Sequence, residues 1–266
     1  MKRKEFIKII GLGGLAISAV PNGFSATLGT KTNEEICRSQ WNTLCGNIGE
    51  VYKTDAFKYV HPKKGKPNVL IYGDSISILY TSEARAQLDD KATVFRLFKN
   101  GGSSQNFIPN MNTLQETMFQ PNLKEGWDFK WDIIHFNIGL HDLKYLKGKN
   151  LNKEGKQVSS ISEYKMNLQA ICEYLKSNFP KAKLIFATTT PVPAHAKGRF
   201  EGDSVIYNKA ALEVLEKYPD IKINDLYRFT KPHLETWAQE PGNVHYKELG
   251  FLAQGKEVAK IIETEL

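Results

Sequence analysis

The sequence predicts an α/β fold, a three-layer α/β/α sandwich built on a parallel sheet of about five strands. Short apolar runs, typical of strands buried on both faces, alternate with longer segments whose apolar residues recur at helical spacing. Such alternation produces a parallel sheet with helices on both faces. The 266 residues, 41% hydrophobic and 24% charged, have a globular composition that suits one large domain.

The first 26 residues are predicted to be an export signal. Residues 2–4 are basic, and residues 9–20 form an apolar stretch too short to span a bilayer comfortably. The segment from Arg3 to Lys8 resembles a relaxed twin-arginine motif, with lysine in place of the second arginine. We therefore expect a periplasmic or extracellular protein with no transmembrane span in the mature chain. An uncleaved N-terminal membrane anchor is the alternative.

Residues 27–67 are predicted to form an irregular segment that wraps the main domain, residues 68–266. Because export permits disulfides, Cys37 and Cys45, which lie eight residues apart in this loop-like segment, are predicted to pair. Cys172 lies on the apolar face of a predicted helix and is expected in the core.

Strands and helices follow each other through the main domain. The predicted strands cover residues 69–72, 92–98, 131–138, 183–189 and 221–224. The predicted helices cover residues 82–89, 109–119, 161–179, 207–218 and 247–264, and residues 148–157 are predicted to be a surface loop. His135 lies in the middle of a strand and is expected to pack in the core.

Each of the first four strands ends in polar or glycine residues. These clusters lie at Ser75, at Gly101 and Gly102, at residues 139–142 and at residues 188–190. Because the carboxyl ends of parallel strands share one edge of the sheet, the clusters are expected to converge. His245 precedes the last helix and could return to that edge, where Ser75 and His245 would form a nucleophile and its base. Taken alone, Ser75 is as consistent with a serine in a turn as with a nucleophile, and His245 is consistent with an ordinary surface histidine.

Four segments resemble the conserved blocks of the SGNH, or GDSL, hydrolase family. Residues 73–77, Gly-Asp-Ser-Ile-Ser, are similar to the first block, and Gly101 or Gly102 to the glycine of the second. Residues 139–142, Gly-Leu-His-Asp, resemble the third block, which is usually Gly-x-Asn-Asp, and His245 lies where the family has its histidine. The resemblance implies a flavodoxin-like domain that hydrolyses esters through an acyl-enzyme, with Ser75 as nucleophile and His245 as base and with no metal or other cofactor.

The resemblance also implies an oxyanion hole made by the N–H groups of Ser75 and of Gly101 or Gly102, and by the side chain of His141. The family has asparagine at the position of His141, but a neutral imidazole can also donate an N–H. The alternative is that His141 braces its loop through Asp142. Asp74 and Asp142 are expected to support the site by capping helix or turn amides.

The family's acidic residue, three positions before the histidine, is replaced by Gly242. A backbone carbonyl, Asn243 or Glu240 is left to orient His245. Residues 188–190 and Arg199 are candidates for lining the substrate cleft; the alternative is hydrogen bonding at a strand end.

The expected function is that of an exported serine esterase that removes small acyl groups, acetyl above all, from a carbohydrate or another small ester. The alternatives are a glycan O-acyltransferase and a non-catalytic carbohydrate-binding protein on the same fold. The formal net charge of +7 is not arranged as a Lys/Arg stripe interleaved with aromatic residues, which argues against nucleic-acid binding. The sequence does not indicate an oligomeric state.

Overall fold

A computed structural model describes residues 32–46 and 54–266 of the chain. Five parallel strands form one sheet: β1 Asn68–Tyr72, β2 Thr93–Arg96, β3 Ile133–Asn137, β4 Lys183–Ala187 and β5 Lys222–Asn224. Their order in the sheet is β2-β1-β3-β4-β5. This is the flavodoxin-like strand order, so the predicted fold class is confirmed. The predicted export signal lies outside the described residues.

Eight α-helices occur in the described part of the chain. They are α1 Asn33–Leu44, α2 Ser75–Gln87, α3 Phe107–Met118, α4 Ile161–Asn178, α5 Asp203–Leu215, α6 Leu226–Thr230, α7 Leu234–Trp237 and α8 Glu248–Glu263. The chain moves outward from β1 to β2 and then back past β1 to the other three strands. Right-handed crossovers therefore place α2 on one face of the sheet and α3, α4 and α5 on the other.

Helix α8 returns to the face of the sheet that carries α2 and packs against it. The approach is close at Gly255, where an added Cβ would lie 2.8 Å from the Tyr80 carbonyl oxygen. The loop that precedes α8 is thereby brought to the start of α2.

The structure differs from the prediction in the segment before β1. Residues predicted to be irregular contain α1, whose first turn is closed by a capping box between Thr32 and Glu35. Trp41 of this helix is buried, and its indole N–H donates to the Phe57 carbonyl oxygen at 2.7 Å.

The predicted disulfide between Cys37 and Cys45 is wrong. Cys37 lies within α1 and Cys45 caps its C-terminus. Eight residues of helix span about 12 Å, whereas the Cα atoms of a disulfide lie within about 7 Å of each other. Both thiols are free, and so is Cys172, which is buried in the core as predicted.

Helix α2 begins at Ser75, not near residue 82 as predicted. Asp74 starts it early because its Oδ1 accepts a hydrogen bond from the Ile76 N–H at 2.9 Å. The predicted surface loop instead contributes to a small antiparallel sheet of Tyr145–Lys147, Asn150–Leu151 and Lys156–Gln157. Within the two described ranges, no helix is long and apolar enough to cross a membrane.

Candidate active site

Ser75 and His245, 170 positions apart in the chain, meet at the carboxyl edge of the sheet. The Oγ of Ser75 lies 2.8 Å from Nε2 of His245. Ser75 is the first residue of α2, directly after β1, and His245 lies in the loop before α8. Both side chains are half-buried. The two residues that the sequence identified as nucleophile and base are therefore in hydrogen-bond contact.

The turn that carries Ser75 is held by Arg96, a residue that the sequence analysis missed. Arg96 ends β2 and is 1% exposed. Its Nη2 contacts the carbonyl oxygens of Gly73 and Asp74 at 3.1 and 3.2 Å, and it donates to Ser77 Oγ at 2.9 Å. The available signal was a charged residue at the end of an apolar strand, where an unpaired charge is costly.

His245 is oriented by Asn243. The Asn243 Oδ1 lies 3.0 Å from the His245 Nδ1 and also accepts the His245 backbone N–H at 3.0 Å. The Asn243 Nδ2 in turn donates to Gln239 Oε1 at 3.2 Å and to Glu240 Oε1 at 3.4 Å. Of the three orienting groups considered, Asn243 makes the direct contact, and Glu240 acts only through it.

This arrangement determines the protonation of His245. A carboxamide oxygen accepts hydrogen bonds only, so the ring proton lies on Nδ1 and Nε2 is left to accept the Ser75 hydroxyl proton. Burial lowers the pKa of His245 below its ordinary value of 6.5, and the positive charge of Arg199 lowers it further. The imidazole is therefore neutral at pH 7.

The Nδ1 of His141 faces a hydrogen-bond donor, whereas that of His245 faces an acceptor. The Lys144 ammonium lies 3.1 Å from His141 Nδ1, and an ammonium can only donate, so the ring proton lies on Nε2. Burial lowers the pKa of His141 to about 3, and the charges of Lys144, Arg199 and His245 act in the same direction. His141 thus offers a neutral N–H donor that has no hydrogen-bond partner among the described residues.

Asp142 does not hold His141. Its carboxylate accepts hydrogen bonds from the Ser104 backbone N–H and from the hydroxyls of Ser104 and Ser159. It therefore ties the loop after β3 to the segments at Ser104 and Ser159. Asp74 caps α2 and is 1% exposed, and its burial raises the pKa of its carboxyl to about 6. Both aspartates have the structural contacts expected of them.

The two glycines differ from their expected role. The Gly101 N–H donates to the Gly73 carbonyl oxygen at 2.9 Å, which ties the loop after β2 to the turn after β1. Of the two glycines predicted as alternatives, Gly101 is therefore wrong, because its N–H is not free. The Gly102 N–H donates to the side-chain oxygen of Asn100 at 3.0 Å. The Ser75 N–H, at the first position of α2, has no partner within the helix.

A cavity of about 340 Å³ opens beside His245. Its walls include His195, Lys197, Arg199, Glu240 and Asn243. Residues 188–190 do not line it; Thr188 and Thr189 make the strand-end hydrogen bonds that were the alternative. A larger cavity of about 540 Å³ is lined by residues 127–131 and 178–182, which precede β3 and β4, so it lies at the opposite edge of the sheet.

No cluster of three or more metal-ligating side chains occurs within residues 32–46 and 54–266. His135, expected in the core, is fully buried in β3, and its Nε2 lies 3.1 Å from the side-chain amide of Asn224. It takes no part in the site at the sheet edge.

Solved structures share this fold. A lipase/acylhydrolase from Enterococcus faecalis superposes with a TM-score of 0.55 at 14% identity, over 75% of this chain and 97% of its own. An acetyl xylan esterase superposes with a TM-score of 0.56 at 14% identity, over 73% of this chain and 99% of its own. A member of the lipolytic G-D-S-L family from Veillonella parvula superposes with a TM-score of 0.54 at 13% identity, over 74% of this chain and 98% of its own.

No protein-family model and no curated protein sequence matches the chain. At these identities the superpositions establish the fold, and the chemistry must be argued from the site itself.

Proposed function

We propose that this chain, which has the fold of the SGNH/GDSL hydrolases, is an exported serine esterase that removes acetyl or similarly small acyl groups from a carbohydrate. The observation that carries the proposal is the hydrogen-bonded series Ser75–His245–Asn243, with contacts of 2.8 and 3.0 Å. A nucleophile, its base and a group that orients the base are the required parts of serine hydrolysis.

In the proposed mechanism, Ser75 Oγ attacks the ester carbonyl carbon while His245 Nε2 accepts the hydroxyl proton. The tetrahedral intermediate collapses, the ester C–O bond breaks, and His245 returns the proton to the departing alcohol. Water then attacks the acyl-serine with the help of the same histidine, releasing the acid and restoring Ser75. No step requires a metal or an organic cofactor.

Negative charge on the substrate oxygen would be stabilised by two donors whose protons are free. The first is the Ser75 N–H at the positive end of α2, and the second is the Nε2–H of His141. The Gly102 N–H joins them when the Asn100 side chain releases it. In this proposal His141 replaces the asparagine of the third block.

Asn243 gives this site a neutral orienting group. An amide oxygen fixes the Nδ1–H tautomer, but it stabilises the imidazolium less than a carboxylate does. Glu240, bonded to the far side of the Asn243 amide, supplies negative charge one residue further away. The neutral orienter lets the positive charge of Arg199 lower the pKa of His245 without opposition from an adjacent carboxylate.

Two observations and one prediction from the sequence support the substrate class. A cavity of about 340 Å³ beside His245 suits a small acyl group or a single sugar ring. One structure of the same fold is named an acetyl xylan esterase. Export, which rests on residues 2–20 of the sequence, brings a protein into contact with extracellular polysaccharides.

The test is hydrolysis of p-nitrophenyl acetate by the wild type, by Ser75→Ala and by a control, Ser162→Ala, which removes an exposed serine of α4. We expect Ser75→Ala to lose about 10³-fold or more in kcat while its circular dichroism stays unchanged, and the control to match the wild type. A folded Ser75→Ala protein with more than a tenth of the wild-type kcat would remove Ser75 from the mechanism. Measuring the acetate released from a series of acetylated polysaccharides then identifies the sugar. Fractionation of cells that express the full chain tests export.

A further inference from the structure

Arg199 is a buried cation that takes no direct part in the bond-making and proton-transfer steps of the proposed reaction. It lies between β4 and α5, is 7% exposed, and lines the cavity beside His245. Its Nε donates to the Leu140 carbonyl oxygen at 3.2 Å. Within the described residues its two terminal nitrogens have no hydrogen-bond partner, and no carboxylate forms an ion pair with it. Because Arg199 lines the cavity, its unpaired terminal nitrogens are accessible to a ligand that binds there.

The surroundings of Arg199 carry more positive than negative charge. Lys144 is half-buried, directs its ammonium to His141, and has its pKa lowered by burial and by Arg199. Lys197 lines the same cavity. The acidic residue of the cavity, Glu240, is bonded to the Asn243 amide.

Asp74 is the other carboxylate within reach of Arg199, and its charge favours the protonated guanidinium. Asp74 Oδ1 accepts the Ile76 N–H, and Asp74 makes no direct contact with Arg199, so the two charges interact only at a distance. The cavity therefore presents an unpaired guanidinium fork to whatever binds beside His245.

We propose that Arg199 binds a carboxylate of the substrate, and that the preferred substrate is an acylated acidic sugar, a uronate, rather than a neutral one. The planar guanidinium fork matches a carboxylate with two parallel hydrogen bonds. Arg199 and His245 line the same cavity, and His245 Nε2 contacts the Ser75 hydroxyl at 2.8 Å, so a carboxylate bound to Arg199 lies on the side of the site that carries the base. This inference rests on the proposed esterase function and assigns its substrate class.

The experiment compares two matched pairs of esters. In the first, the carboxylate is on the sugar: acetylated oligogalacturonide against acetylated oligogalactoside, which lacks the carboxylate. In the second, it is on the acyl group: p-nitrophenyl hemisuccinate against p-nitrophenyl butyrate. The wild type is expected to favour the acidic sugar by at least about tenfold in kcat/KM. A preference confined to the hemisuccinate would overturn the assignment to a uronate.

Arg199→Gln removes the fork and the charge, and it should bring the acidic-to-neutral ratio close to one, mainly through a higher KM for the acidic ester. Arg199→Lys keeps the charge and should retain an intermediate ratio. Lys181→Gln, a matched charge removal at the opposite edge of the sheet, should keep the wild-type ratio. An unchanged ratio in Arg199→Gln overturns the proposal.

A second measurement does not depend on the variants. Free galacturonate should inhibit wild-type hydrolysis of p-nitrophenyl acetate at least about tenfold more strongly than galactose. Equal inhibition by the two sugars overturns the carboxylate site even if Arg199→Gln fails to fold. Hydrolysis of p-nitrophenyl acetate with no acidic preference contradicts this inference alone, whereas no hydrolysis of it by the wild type contradicts the esterase function as well.

Discussion

The loop after β3 and the loop before α8 each bring one histidine to the same edge of the sheet, and the two rings are prepared for opposite tasks. In the first loop the Lys144 ammonium donates toward Nδ1 of His141, so Nε2 carries the proton. In the second loop the Asn243 oxygen accepts from Nδ1 of His245, so Nε2 is bare and faces Ser75. Both rings are neutral because burial and nearby positive charge lower their pKa values. A neighbour on the far nitrogen thus decides whether an imidazole donates or accepts at the reacting atoms.

The largest effect is expected when His245 loses the neighbour that keeps its Nε2 a proton acceptor. Asn243→Leu removes the oxygen that keeps the proton on Nδ1 and orients the ring, so kcat for p-nitrophenyl acetate should fall by roughly 10³-fold, since loss of the correct tautomer in a serine hydrolase is costly. Asn243→Asp, which still accepts from Nδ1, should retain most of the activity. Equal kcat values for Asn243→Leu and the wild type would show that the ring is oriented by another group.

The donor side is broken by His141→Ala, which should lose about 10²–10³-fold in kcat, the usual cost of one oxyanion donor. KM should change far less, because the hydrogen bond strengthens as the oxyanion forms. His141→Asn can offer an amide N–H from a similar place and should keep substantial activity. If both variants melt at lower temperature and lose similar activity, His141 is a brace of its loop and the donor role is wrong.

Lys144→Met tests the N–H donor of His141 indirectly, by removing the ammonium group that contacts its Nδ1. Without the ammonium, the His141 ring proton can move to Nδ1, and kcat should fall on the order of tenfold, a typical cost for losing a partner that orients a functional histidine. In the background of His141→Asn, where no tautomer exists, the same substitution should cost little. A full tenfold loss in that double variant would mean that Lys144 acts on the substrate directly.

The smallest effect is a shift of the pH profile. Because the pKa of His245 lies below 6.5, kcat/KM for p-nitrophenyl acetate should decline only as pH falls through that lowered value. Arg199→Gln removes one positive neighbour, so the pKa of His245 should rise and the acid limb should move to higher pH. Lys181→Gln is the control and should leave the limb in place. A shift to lower pH in Arg199→Gln would contradict the electrostatic account.

The sequence predicted the fold and the two central residues because both depend on patterns that a linear sequence carries. Apolar runs mark β1 to β5, and Ser75 and His245 lie in short motifs at the ends of elements. The sequence left three candidates for the group that orients His245, and Asn243 is the one that contacts its Nδ1. That choice depends on the turn before α8, whose geometry the sequence does not specify.

Other features could not be predicted because they depend on hydrogen bonds between distant segments. Gly101 lies in the expected strand-end cluster, yet its N–H donates to the Gly73 carbonyl oxygen, because the loop after β2 folds back onto the turn after β1. Arg96 and Lys144 carry ordinary charged side chains, and only the structure shows which atoms they contact. Helix α1 was missed because its apolar residues are few, although the Thr32–Glu35 capping box was a readable signal.

The most direct test of the two-histidine account is nitrogen NMR of the protein labelled with ¹⁵N in its histidine rings, recorded at pH 7. The chain has six histidines, and the His141→Asn and Asn243→Leu variants assign the two that matter. The account predicts a neutral His245 with its proton on Nδ1 and a neutral His141 with its proton on Nε2. The same tautomer at both rings, or an imidazolium at either, would contradict it.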